Sequence, residues 1–138
     1  MCESPLGQLL RAIDQLDLEA AMALAAPEAR LLTVDGRRAE GRAATRELLG
    51  EFLAALRSST HQLTAEWHVE NVWIAEMQAS YELEDRALLG PFRRAFILRD
   101  GPAGFVDLHA YGAHERPLTD RPSGEREMRL GGHWIPPL

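Results

Sequence analysis

The chain has 138 residues, a net charge of −6 and a hydrophobic fraction of 46%, which fits one globular domain and disfavours a nucleic-acid partner, whose phosphates need neutralising. No apolar run approaches the roughly 20 residues that cross a bilayer, and the acidic start Met1-Cys2-Glu3-Ser4 lacks a signal peptide's basic residues; a soluble, cytoplasmic protein with no membrane partner is expected. One cysteine, Cys2, and no lysine at all exclude an intrachain disulfide and Schiff-base chemistry.

Ser4-Pro5 predicts a helix start, with a hydroxyl cap followed by a proline whose missing N–H costs nothing there. Leu6, Leu9, Leu10 and Ile13 follow at helical spacing. Asp17 caps a second short helix from Leu18 to about Ala25, which Pro27 ends. Residues 29–34 read as a strand, and Asp35-Gly36 as a turn. A third helix is predicted over 42–57, with Leu48, Leu49, Phe52, Leu53 and Leu56 on its core face.

After Ser58-Ser59 the period changes from 3.6 to 2. His61, Leu63, Ala65, Trp67 and Val69 alternate with polar residues; after Glu70-Asn71, so do Trp73, Ala75, Met77, Ala79, Tyr81 and Leu83. Residues 92–99 and 105–113 are two further strands, separated by Asp100-Gly101-Pro102-Ala103-Gly104. Helices first and an antiparallel meander after predict helices packed on one face of a curved sheet. The domain is placed at residues 1–118. The tail, 119–138, ends in Trp134-Ile135-Pro136-Pro137-Leu138 and is expected to dock on the domain or on a partner subunit.

Several of these features together resemble the SnoaL-like, ketosteroid isomerase-like branch of the nuclear transport factor 2-like superfamily. They are Asp14 and Asp17, Ala26-Pro27-Glu28, Gly41, His61 and Trp67 on one strand, Tyr81 and Asp85 on the next, Pro91-Phe92, Leu98-Arg99-Asp100-Gly101 and Pro117-Leu118. The resemblance spans about Leu9 to Leu118. It implies a cone-shaped α+β fold with a deep apolar pocket, a homodimer formed through the outer sheet face, and cofactor-independent acid/base chemistry of the isomerase, cyclase or dehydratase type on a small hydrophobic carbonyl compound. The chain departs from the pattern where the family carries its carboxylate. Counted back from Pro117-Leu118 that position is His114, or Ala113 if Tyr111 is the matching tyrosine. The alternative is therefore a non-catalytic binding or dimerisation module.

On the last strand Asp107, His109 and Tyr111 share one face. One reading makes that face a pocket wall, with His109 as general base and Asp107 or Tyr111 as its partner; the other makes it a polar dimer interface. His114 is a second candidate base, since its unperturbed pKa lies near neutrality. His61, Trp67 and Tyr81, with Phe96 on the following strand, are expected to line the cavity. A buried Tyr81 hydroxyl would donate to a substrate carbonyl or a developing oxyanion. No metal is expected, because the five histidines are scattered and no ligand spacing occurs; the chemistry calls for no cofactor.

Overall fold

The structure, a computed structural model, describes residues 3–112, 129–130 and 133–134. Helix α1 (Pro5–Asp14) begins where the sequence places it: the Ser4 hydroxyl accepts the Gly7 N–H at 2.9 Å. Its leucines and Ile13 are buried, which at about 1.5–3 kcal/mol per side chain fixes the helix to the sheet, an upper figure before ordering costs. Asp17 caps α2 (Leu18–Met22) through the Ala20 N–H. Helix α3 (Arg42–Ala54) buries Leu49, Phe52 and Leu53. It stops three residues short of the predicted end, and Leu56 reaches the core as the first residue of a strand instead.

The six-stranded sheet has the order β2-β1-β6-β5-β4-β3. Its meander is β3 (Leu56–Val69), β4 (Val72–Leu83), β5 (Leu88–Gly101) and β6 (Gly104–Tyr111), all antiparallel as expected. Strand β1 (Ala25–Leu32) starts earlier than the sequence suggests and pairs with β6 in parallel. Pro27 is tolerated because it falls between Ala25 and Arg30, where the ladder changes register and needs no N–H from it. The short β2 (Arg38–Glu40) returns from the Asp35-Gly36 turn onto β1. A two-residue pair, β7 (Arg129–Leu130) with β8 (His133–Trp134), forms a separate ladder. The helices roof one face of the mostly antiparallel, curved sheet, and the core lies between them. No helix among the described residues is long and apolar enough to cross a membrane.

One irregularity decides which side chains reach that core. Leu63 pairs with Met77 but Ala65 pairs with Glu76, so β3 carries an extra residue at Thr64. A bulge of one residue reverses the alternation of a strand. After a first shift between Leu56 and Ser58, the odd-numbered residues from Ser59 to Leu63 face inward; beyond Thr64 they face outward.

Candidate functional site

Four polar side chains from three elements meet under the helical roof. Asp14 ends α1, and its carboxylate is pinned to β3 by three donors. The Ser59 hydroxyl donates to Oδ1 at 2.8 Å, the His61 backbone N–H donates to Oδ2 at 2.8 Å, and the His61 ring lies with Nδ1 2.6 Å from Oδ1. The other ring nitrogen, Nε2, is 3.1 Å from the Tyr81 hydroxyl. A carboxylate only accepts, so Nδ1 carries the proton; in the neutral ring Nε2 then accepts from the tyrosine O–H. The result is a directed chain, Tyr81 to His61 to Asp14, running from the core towards the surface.

Its surroundings grade in the same direction. The Asp14 side chain is 25% exposed and the His61 side chain 0%. Around Tyr81, Phe52 meets its ring edge-on at a centroid distance of 5.1 Å, and Phe96 stands 5.8 Å from the His61 ring. Burial pushes the Tyr81 phenol far above its usual range; the nearby Arg94 charge opposes this and Asp14 adds to it. Arg94 is itself buried, 4.6 Å from the Phe92 ring centroid, with Nη1 donating to its neighbour's carbonyl at Arg93. Access comes from the Asp14 end, where a hollow of about 230 Å³ is lined by Glu3, Gly7, Leu10, Arg11, Asp14, Gln15, His61 and Leu63.

Of the four residues expected to line the cavity, His61 borders the hollow, while Tyr81 and Phe96 pack against its ring in the core behind it and the Tyr81 hydroxyl is engaged by His61. Trp67 does neither: beyond the bulge it pairs with Ile74 on the outer face and is 50% exposed. The row on β6 also lies outside. Asp107, His109 and Tyr111 stand opposite Arg99, Ile97 and Ala95, whereas the buried Leu108 and Ala110 stand opposite Leu98 and Phe96. By this register the row lies on the sheet face away from the helices rather than on the wall of the hollow, which corrects the pocket-wall reading. Asp107 is clasped by Arg30, whose Nε donates to Oδ1 at 2.8 Å and Nη2 to Oδ2 at 3.1 Å, and by Arg99 at 3.0 Å. His109 Nδ1 is 3.2 Å from the Tyr111 hydroxyl. His114 and the 119–138 tail lie outside the described residues, apart from the β7 and β8 backbone.

Asp14 and Ser59 escaped the reading of the chemistry. The signal for Asp14 was present: it follows Leu10 by four residues and so continues the apolar stripe of α1, where a carboxylate needs a partner. It also sits in the last turn, where the helix dipole disfavours a negative charge. Ser59 lies where the period changes from 3.6 to 2, so spacing assigns it to no face. No group of three or more side chains able to hold a metal ion occurs among the described residues.

No protein-family profile matches the chain, and no curated protein sequence does. Solved structures do match. A protein of ketosteroid isomerase-like fold from Catenulispora acidiphila, in complex with trimethylamine, superposes with a TM-score of 0.72 at 12% identity, over 82% of this chain and 88% of that one. A polyketide cyclase candidate from Sinorhizobium meliloti gives 0.66 at 13%, over 79% and 94%. An LEH-like epoxide hydrolase from M. tuberculosis gives 0.67 at 13%, over 79% and 80%. With NTF2-like proteins of unknown function among the further matches, the chain has the nuclear transport factor 2-like, ketosteroid isomerase-like fold.

Proposed function

We propose that the protein binds a small carbonyl compound in the hollow beside α1 and carries out cofactor-independent acid/base chemistry on it, with Asp14 as the base. The observation that carries this reading is the hydrogen-bonded chain with its carboxylate at the accessible end. Asp14 Oδ2 accepts one hydrogen bond, from the His61 N–H, and keeps a lone pair for a substrate proton. His61 and Ser59 hold the carboxylate in place, and Tyr81 donates to the far nitrogen of the ring behind it. In an isomerisation, dehydration or aldol-type cyclisation, Asp14 would take a proton from the carbon next to the carbonyl, leaving an enolate, and return it elsewhere. The fold hosts such small-molecule work in similar structures, a polyketide cyclase candidate and an epoxide hydrolase among them, although fold alone assigns no reaction.

The test is exchange of substrate α-protons in heavy water, followed by NMR over a panel of ketones, ketoacids and ketoesters. Exchange by the wild type that Asp14→Asn abolishes supports the reading. Equal exchange by the two proteins, or none by the wild type with any compound, removes it.

A second reading is favoured by the outer face, that of a dimerisation module. Trp67, Ile74, Ile97, His109 and Leu32 form one row of register partners across five strands, with Trp67 and Tyr111 exposed. An apolar row of this kind on a sheet suits a second copy of the chain. A monomer in sedimentation at micromolar concentration would exclude it.

A further inference from the structure

We infer that the hollow beside α1 takes a small carboxylate, held at its rim by Arg11, and that Glu3 occupies the ligand's place until it arrives. The inference rests on the reading of Asp14 as the working group, and adds the charge and size of what it works on.

Size comes first. About 230 Å³ is below the roughly 300–1,000 Å³ of sites that enclose drug-sized molecules. Behind the polar chain the Tyr81 ring packs on Phe52 and Phe92, and buried Phe96 backs the His61 ring, so core side chains close the inner end of the hollow. A compound of on the order of ten non-hydrogen atoms fills it; a fused-ring polyketide or steroid would extend beyond it into solvent.

The lining sets the chemistry. Only Leu10 and Leu63 are large and apolar; Arg11, Asp14, Gln15 and His61 are polar, and Glu3 closes the ring. Arg11 is the cation of this set, and the Glu3 carboxylate is ion-paired with it. Both side chains are well exposed, at 62% and 40%, so the pair is weak and exchangeable. Gly7 makes the arrangement possible: a β-carbon there would come within 2.9 Å of Glu3 Cγ and 3.2 Å of Ser4 Oγ. The Gln8 side-chain amide ties down the Glu3 carbonyl at 3.0 Å. A carboxylate already sits where an incoming one would bind, on a guanidinium one helical turn before Asp14. A ligand whose carboxylate displaced Glu3 would extend its other end towards Asp14. A carbonyl or hydroxyl a few bonds from that carboxylate would reach the base, which describes a short keto or hydroxy acid.

The experiment uses the full chain with pyruvate, acetoacetate and 3-hydroxybutyrate as probes, and methyl acetoacetate as a neutral control. Binding is read from amide NMR shifts of residues around the hollow and from calorimetry. At least one acid is expected to bind with shifts at Arg11, Gln15 and Leu63. Arg11→Gln should weaken that acid by ~3- to 10-fold, as an exposed ion pair allows, and Glu3→Gln should tighten it by a few-fold. The neutral ester should change in neither variant. Both substitutions are on the surface, so folding is not at stake. Absence of binding by every acid, or affinities indifferent to both changes, overturns the inference. The two proposals fail separately. Acid binding that survives in Asp14→Asn without any proton exchange in the wild type sinks the catalytic reading alone. Asp14-dependent exchange of the neutral ester without acid binding sinks this inference alone.

Discussion

The molecule holds the trio aspartate, histidine and tyrosine twice, once on each side of its sheet, and the two copies differ in almost everything but residue type. Inside, Asp14, His61 and Tyr81 come from a helix end and two strands, form a directed chain, and are walled by phenylalanines. Outside, Asp107, His109 and Tyr111 lie two residues apart on one strand, and the carboxylate is occupied by Arg30 and Arg99. The outer trio is the one the sequence displays, because period-two spacing puts it in a row. The inner trio is assembled only by folding. The contrast shows why spacing alone is a poor guide to a site. An acid whose charge is already matched by two guanidinium groups is a clip between strands, here joining β1, β5 and β6. Asp14, held by a histidine ring, a hydroxyl and a backbone N–H, is instead the part-exposed end of a hydrogen-bonded chain.

The sharpest break of the comparison is made in the inner wall. Phe52→Ala should cost about 3–5 kcal/mol by leaving a cavity against the Tyr81 ring; near-normal urea unfolding of that variant would show that the interior is not packed as described. Next is the histidine pair. His61→Ala strips a buried ring and leaves the Tyr81 hydroxyl without its acceptor, which should cost about 3 kcal/mol. The same change at His109 should stay within about 0.5 kcal/mol. Equal losses in thermal unfolding would erase the distinction between the two faces. The outer clip should come third: Asp107→Ala is expected to cost about 1–2 kcal/mol, since both arginines can turn to water once it is gone. A loss as large as that at His61 would mean that the outer cluster is buried in an assembly.

The smallest effect concerns pH. Burial raises the Tyr81 pKa, so the folded state favours the neutral phenol. That contribution is complete below the unfolded phenol's pKa of about 10 and is lost as pH rises through the higher folded value. Tyr81 should therefore add no phenolate absorbance to the folded protein up to about pH 10, and Tyr81→Phe should leave the folded titration curve unchanged while making unfolding less sensitive to alkali. A wild-type curve that loses amplitude on this substitution at lower pH would place the hydroxyl in water.

The local chemistry of the chain determined a good deal by itself. The Ser4-Pro5 and Asp17 caps, the leucine stripe of α1, the core face of α3 and the four-strand meander are all set by neighbours within a few residues, and period and capping report such short-range preferences faithfully. His61, Tyr81 and Phe96 were legible too, as aromatic or polar residues on strand faces otherwise built for burial. Tertiary structure decided the rest. The bulge at Thr64 turns Trp67 outward, and no local pattern marks it, because one inserted residue is fixed by the pairing partner, β4. The parallel junction of β1 with β6 depends on residues 77 to 80 positions apart and decides which face Asp107 and His109 occupy. The meeting of Asp14 with His61 spans 47 residues. It follows from α1 lying across β3, and packing of that kind is governed by the shape and burial of whole elements, which no short stretch of sequence contains.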